Sequence, residues 1–420
     1  MVALRAQDMQ LKEFAKRYLE YRVKNIGLKR DLGGCALADD FIGVLEYYSM
    51  KWLSESGTIA NGPMLAHWAL TTRCNARCKH CYLDENTMPA GEVSADDAVF
   101  IVDQMKTANV IQAILSGGEP FLRKDLIDIV AHLKEHRLIV EILTNASLIT
   151  ENKANDLAKI LDPRVDHVQV SLDGPTARIH DAQRGVKIFD KTIEAIKRLQ
   201  AGGINPLLRF SPTYINYRYL IDTYLLANKL KVAAFAASDL CYVGRAKNLQ
   251  RVPVNELFRV AVETLKLSME KGFNTPYVDA LLGMMFNFEE FRELIPQRRG
   301  NARETRSCPA AISRCAIDAV GDVYPCSIFS PKHLCAGNIL EESLLDIWTR
   351  GRNWQTFREG RRFNETKCEN CGYLYWCKGG CPMTAMAEHG TTNAPDPGCI
   401  YEPDKDIVKE GKDEKHESQN

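Results

Sequence analysis

Cys74-Asn75-Ala76-Arg77-Cys78-Lys79-His80-Cys81 is the stretch from which the rest of the chain can be read. It sets three thiols at x3 and x2 spacing on a polar loop that follows the β-rich run His67 to Thr72. Five more such runs come after it, at Gln112 to Ser116, Ile139 to Thr144, His167 to Leu172, Pro206 to Thr213 and Val232 to Ala237. Amphipathic stretches lie between them, among them Ser94 to Thr107, Lys124 to Glu135, Glu151 to Leu161 and Asp190 to Ala201. Ser94 with Asp97 has the form of a capping box. Six strand-helix units in series predict an α/β fold with a parallel sheet, closed or partly closed as a barrel. Loops at the carboxyl ends of such strands form the catalytic rim, and the thiol triad falls on it.

The composition narrows the class. Lys+Arg and Asp+Glu both number 54, so no net charge advertises nucleic acid or an anionic membrane surface. No uncharged apolar run approaches the roughly 18 to 20 residues of a membrane span, and the stretch around Ala280 to Phe288 is far too short. Met1 to Asp8 carries Arg5 and Asp8 with no apolar core behind it, so no secretory signal is read and a cytoplasmic location is expected. In such a compartment fourteen cysteines, ten of them clustered at short spacing, argue for metal ligation rather than disulfides.

Five regions are expected. Residues 1–64 read as a helical cap, with helices at Gln10 to Asn25 and Ala38 to Glu55; its Tyr47, Tyr48 and Trp52 either pack on the barrel or cover a substrate. Residues 65–245 form the core barrel and 246–300 a helical linker. A cysteine-rich domain follows at 301–401, and 402–420 is a charge-rich tail without the apolar residues to fold.

Three is the informative number of thiols in the first group. A four-iron, four-sulfur cluster that only carries electrons takes four cysteines, and a triad leaves one iron open. Zinc favours two x2-type pairs that close a tetrahedron, and no fourth ligand lies nearby in the sequence. The second predicted strand ends in Ser116-Gly117-Gly118-Glu119-Pro120, the third in Thr144-Asn145, and the fourth in Ser171-Leu172-Asp173-Gly174. In these features the chain resembles the radical S-adenosylmethionine (SAM) enzymes. The resemblance implies a partial (β/α)6 TIM-like barrel with a cluster on Cys74, Cys78 and Cys81. It places the SAM amino group at Gly117, Gly118 and Glu119. The ribose and carboxylate fall to Asn145, Ser171 and Asp173, with Arg184 as a carboxylate partner and His80 beside the adenine. Read as residues alone, Asn145 and Asp173 serve equally as turn caps, and Arg184 as half of a salt bridge.

The second group contains Cys308, Gly321, Cys326, Cys368-x2-Cys371-x5-Cys377-x3-Cys381 and Cys399. It resembles the SPASM extension carried by a subset of these enzymes, which implies two auxiliary clusters and hence three [4Fe-4S] clusters in all. The resemblance puts Cys308, Cys315, Cys326 and Cys381 on the nearer one, and Cys368, Cys371, Cys377 and Cys399 on the farther. Cys315 stands too close to Gly321 to be the motif's own first cysteine. The alternative is a buried thiol, leaving the nearer cluster an open site for substrate. Cys35, Cys241 and Cys335 match no motif position and read as buried or partly buried small apolar residues.

The chemistry implied is reductive cleavage of SAM to a 5′-deoxyadenosyl radical that takes a hydrogen atom from a substrate, served by an electron donor such as flavodoxin or ferredoxin. SPASM-bearing relatives mature ribosomal peptides, oxidise sulfatase residues, trim tetrapyrrole side chains or dehydrogenate aminoglycoside precursors. Sulfatase maturases carry an Asp after the cysteine matching Cys326; here Ser327 stands there, which disfavours that activity. A ribosomally made peptide is the first reading, with a separate leader-peptide-binding protein as a partner, and a small molecule of tetrapyrrole type is the second. A zinc-binding interaction protein without catalysis is the reading from another class, separable by colour. No general base is legible. Met284 and Met285 line either a pocket or the core of the linker.

Overall fold

The computed structural model describes residues 59–83, 91–237, 240–271, 289–292, 308–328 and 332–403. The expected cap helices with Tyr47, Tyr48 and Trp52, the segment bearing Met284 and Met285, Cys35, and the tail beyond 403 lie outside these residues.

All six expected strands form: β1 (Leu65–Ala69), β2 (Gln112–Ser116), β3 (Ile139–Thr144), β4 (His167–Ser171), β5 (Leu207–Phe210) and β6 (Ala234–Ala237). They pair in parallel in sequence order. The intervening helices are α1 (Ala95–Thr107), α2 (Leu126–Glu135), α3 (Glu151–Ile160), α4 (Ala177–Arg184), α5 (Phe189–Ala201) and α6 (Leu220–Lys229), and α7 (Val254–Lys271) follows β6. The capping box of α1 is made in full, with Ser94 accepting from the Asp97 amide and Asp97 from the Ser94 amide. Eight-residue α4 was not foreseen. It is two turns long, too short to display a period, and its N-cap Thr176 makes no side-chain cap bond.

The sheet does not close. β6 is one edge, while β1 takes a seventh parallel strand, β7 (Arg314–Ile317), followed by antiparallel β8 (Asp322–Tyr324) and two-residue β9 (Gly337–Asn338). The cysteine-rich region therefore extends the same sheet.

Register separates two faces. Ala66, Ala113, Val140, Trp68, Leu115, Ile142, Val168 and Val170 are buried on one face with α1 residues Ile101, Val102 and Met105 and α2 residues Ile129, Val130 and Leu133. Each large side chain there contributes about 1.5–3 kcal/mol. The opposite, inner face carries His67, Gln112, Glu141, His167, Gln169 and Arg209, all only half-buried. A closed barrel would fill that space with branched apolar layers; here these polar residues share the face with Leu65, Ile114, Ile139, Leu143 and Leu207.

Candidate cofactor and metal sites

The triad loop is fixed along its length by the backbone. Leu70 N donates to Ser116 O (2.9 Å), Gly118 N to Thr71 O (2.7 Å) and Glu119 N to Arg73 O (2.8 Å), which ties the loop to the end of β2. Such proximity explains Gly118, where a Cβ would lie 2.0 Å from Arg73 O. The middle of the loop is held from the other side, with Arg77 N and Lys79 N donating to Arg184 O and Gln183 O at 3.0 Å each. Gly185 ends α4 at φ 71°, and a Cβ there would meet Arg77 O at 2.4 Å. Between these clamps Cys74 is exposed, Cys78 buried and Cys81 half-buried.

Behind the triad sits a buried charge network. Arg184 pairs with fully buried Asp173 (Nη2 to Oδ2, 2.7 Å) and donates to Cys78 Sγ (Nη1, 3.6 Å). Burial alone would raise the Asp173 carboxyl, but Arg184, with His80 and His180, brings it below its usual range. Asp173 Oδ1 also accepts from Ser211 N, and Asp173 N donates to His180 Nδ1. His80 lies 3.9 Å from Asp173 Oδ2, and Gln183 Nε2 meets its Nδ1 at 2.7 Å. Burial lowers both His80 and His180 to about 4, so both rings are neutral at pH 7. Gln183 and His180 escaped the sequence reading, although they share one turn of α4 with Arg184.

Glu119, 1% exposed, turns its carboxylate to the end of β3. It accepts from Thr144 Oγ1 (2.6 Å), Asn145 N (2.9 Å) and Phe121 N (3.2 Å), and burial pushes its pKa up in spite of these bonds. Asn145 joins the triad loop directly, its Nδ2 donating to Asn75 Oδ1 at 2.9 Å. Ser171 lies at the end of β4 on the inner face, half-buried. Gly117, at φ 131°, approaches Thr71 O so closely that a Cβ would be 2.4 Å away. The predicted SAM-contact residues thus meet along one rim.

The C-terminal cysteines fall into two electrostatic groups. Cys368, Cys371, Cys377 and Cys399 act on one another: after burial, the largest influences on Cys368 are Cys377, Cys399 and Cys371. Cys308, Cys326 and Cys381 form the other, Cys326 and Cys381 both raising Cys308. Cys315 is brought to neither, and burial alone raises it, to about 12. Burial raises the Tyr82 hydroxyl, and Cys81 and Cys326 add to that effect. Arg361, unnoticed in the sequence, is 2% exposed and donates to the carbonyls of Thr392 (2.5 Å), Gly379 (2.9 Å), Gly380 (2.7 Å) and Ala394 (2.6 Å), fixing the loops around Cys377, Cys381 and Cys399.

These donor sets fit iron-sulfur clusters better than zinc. Tetrahedral zinc with 2.3 Å bonds needs sulfurs about 3.8 Å apart. Among the described residues no three cysteine sulfurs come within 4.8 Å of one another. Burial holds Cys74 near 11, Cys308 near 12, Cys326 near 11, Cys368 near 12 and Cys377 near 11. Without metal these thiols keep their protons, so loading must release them.

The chain matches the radical SAM superfamily over residues 68–223 and the SPASM iron-sulfur cluster-binding domain over 308–372. It belongs to the radical SAM superfamily, as an enzyme with a C-terminal SPASM domain, SAM and [4Fe-4S] clusters being the cofactors that these domains imply. It is 30% identical to mycofactocin maturase MftC of Mycobacterium tuberculosis over 81% of this chain and 83% of that protein. It is 29% identical to an AdoMet-dependent heme synthase of Methanosarcina barkeri over 83% of this chain and 99% of that protein. In fold it is similar to Streptococcus suis SuiB bound to its precursor peptide SuiA, with TM-score 0.69, 20% identity and 93% and 89% of the two chains covered.

Proposed function

We propose that this enzyme abstracts hydrogen from a ribosomally synthesised peptide held against the inner face of the sheet, leading to a cross-link, a thioether, an epimerised centre or another oxidation. SAM and a reduced four-iron cluster supply, when bound, the 5′-deoxyadenosyl radical for that step. Cys74, Cys78 and Cys81 would hold the cluster. The rim from Gly117 through Glu119, Asn145 and Ser171 would seat SAM, and Asp173 and Arg184 would brace Cys78 from behind. The remaining cysteines would hold auxiliary clusters.

One observation carries the substrate side: beneath the rim the inner face sets ionisable groups among apolar ones, with His67 on β1, Glu141 on β3, His167 on β4 and Arg209 on β5, and Glu141 acting on Arg209. Such a surface suits a polar substrate with ionisable groups. The 30% identity to a mycofactocin maturase supports a maturation reaction, and SuiB, similar in fold, is bound to a precursor peptide. A tetrapyrrole is the second reading, supported by similarity to a heme synthase along 99% of its length. Anaerobic mass spectrometry of what co-purifies with Cys78→Ala from the native host separates the two: a peptide mass is expected, and a tetrapyrrole mass would replace it.

A further inference from the structure

We propose that Asp103, His132 and His136 form a surface site for a divalent transition metal ion of the zinc type, which cross-links α1 to α2 on the helix-covered side of the sheet. The site is separate from the cysteine groups and depends on neither the cluster reading nor the substrate reading above.

His132 and His136 are four residues apart, so the helix sets both rings on one face, one turn after the other. His132 lies in the last turn of α2, and His136 is its C-cap. Asp103 comes from α1. Nε2 of His132 lies 2.9 Å and Nε2 of His136 2.8 Å from the same Asp103 oxygen, Oδ1. The two rings meet edge to face, with centroids 4.8 Å apart. Among the described residues this is the group in which three donor atoms from histidine, cysteine or carboxylate side chains come within 4.8 Å of one another. Two imidazoles and a carboxylate are a donor set that zinc takes, with water as the fourth ligand.

Glu135 supplies a second observation. Its Oε2 lies 3.0 Å from Nδ1 of His132, so that ring stands between two carboxylates. A neutral imidazole has one N–H and cannot donate to both. With Nδ1–H given to Glu135, Nε2 turns a lone pair towards Asp103, and two facing lone pairs need a cation between them. A proton there would serve the His132 contact alone, whereas a metal ion would serve both rings and the carboxylate at once. A carboxylate on the far nitrogen of a ligating histidine is also what fixes the ring's tautomer and orientation in metal sites. Bonds of about 2.0–2.1 Å in a tetrahedron set ligand atoms about 3.3–3.4 Å apart, so the oxygen would draw back by about half an ångström. The Asp103 side chain is exposed and has room for that rotation. The carbonyl end of α2 at the same turn favours a cation.

The position assigns the ion a role. α1 and α2 lead into the first residues of β2 and β3, Gln112 and Ile139, so the site lies at the amino ends of the strands. The thiol triad follows the carboxyl end of β1, at the opposite end of the sheet. An ion at Asp103 would brace the frame and take no part in the reaction.

The test uses full-length protein reconstituted anaerobically with iron and sulfide, desalted, dialysed against zinc chloride and analysed for both metals. The double variant His132→Gln with His136→Gln is expected to bind about one zinc per chain fewer than the parent at unchanged iron. The subtraction removes zinc held by cysteines. Asp103→Asn, nearly isosteric, and Glu135→Ala, at an exposed position, keep the test independent of how the double variant folds. Glu135→Ala is expected to weaken zinc binding about tenfold, and Asp103→Asn by more. Zinc is also expected to slow amide hydrogen exchange at the end of α2 in the parent and not in the double variant. Equal zinc in parent and double variant, undiminished affinity in Asp103→Asn, or slowing confined to the cysteine-rich region would each overturn the proposal.

Discussion

The loop bearing Cys74, Cys78 and Cys81 and the lobe bearing Cys368, Cys371, Cys377 and Cys399 gather thiols in opposite ways. The loop hangs from a large frame, bonded by its backbone to β2 on one side and α4 on the other. Among the described residues the lobe has a separate apolar cluster of Phe363, Cys368, Cys371, Tyr373 and Leu374, with Tyr401 packed against it, and two of the five buried residues are thiols. Thiols that take so large a share of a local core are a place where bound metal would add stability. On the proposed ligand sets, the comparison teaches that a cluster would be a guest of the fold at the first site and part of the fold at the second.

The largest effect that would test this difference is at Cys78. Cys78→Ala is expected to abolish 5′-deoxyadenosine formation while far-UV circular dichroism and the iron of the C-terminal lobe persist. Retained SAM cleavage would remove Cys78 from the ligand set. Stripping iron with a chelator probes the other half: limited proteolysis should cut between about residues 361 and 402 while the strands remain protected. Cutting at the triad loop first would reverse the comparison.

Next comes Arg361, which joins loops of the lobe through their carbonyls. Arg361→Leu leaves those buried acceptors unpaired and is expected to destabilise the lobe by about 3–5 kcal/mol, seen as faster local hydrogen exchange at 378–399. Exchange rising uniformly through the sheet would show that lobe and frame unfold as one. At the triad the corresponding residue is Arg184. Arg184→Gln strands the Asp173 carboxylate at 0% exposure, a cost of about 3 kcal/mol in thermal stability, and weakens the bond to Cys78. A lower reduction potential of the SAM-site cluster, measured by titration, should accompany the loss. An unchanged potential would make Arg184 purely structural.

The same contrast explains what was legible in the sequence. β1 to β6 could be read because each is a short β-rich run flanked by polar turns, and α1 because Ser94 and Asp97 announce its start. β7 to β9 could not: they are four, three and two residues long, and β7 is defined by pairing with β1 some 250 residues earlier, which no local pattern records. At the rim, Gly-Gly-Glu and the triad showed as motifs. The bonds that lock them, from Gln183 to His80, from Asn145 to Asn75 and from Arg184 to Cys78, join residues 70 to 106 positions apart. Cys315 illustrates the limit, since spacing alone counts a thiol without saying which face of a strand it occupies.

The smallest effect lies where frame and lobe join, in the turn from β7 to β8. Asp318 accepts there from Val320 N and Asp322 N through Oδ1 (3.0 Å each), while buried Oδ2 has no hydrogen-bond partner among the described residues. Burial raises the carboxyl from its ordinary 3.8 to about 6. A carboxyl whose folded pKa is raised favours the native state while protonated. Its contribution is present below about pH 4 and is lost as pH climbs to about 6, after which the penalty is constant, at most about 3 kcal/mol. Asp318→Asn keeps the Oδ1 acceptor and removes the charge. It is expected to be more stable than the parent by about 1–3 kcal/mol at pH 7, with the difference vanishing near pH 4, in denaturant titrations across that range. A difference independent of pH would show that Asp318 is ionised at no cost, and that this junction, unlike the lobe beyond it, is already solvated like a surface turn.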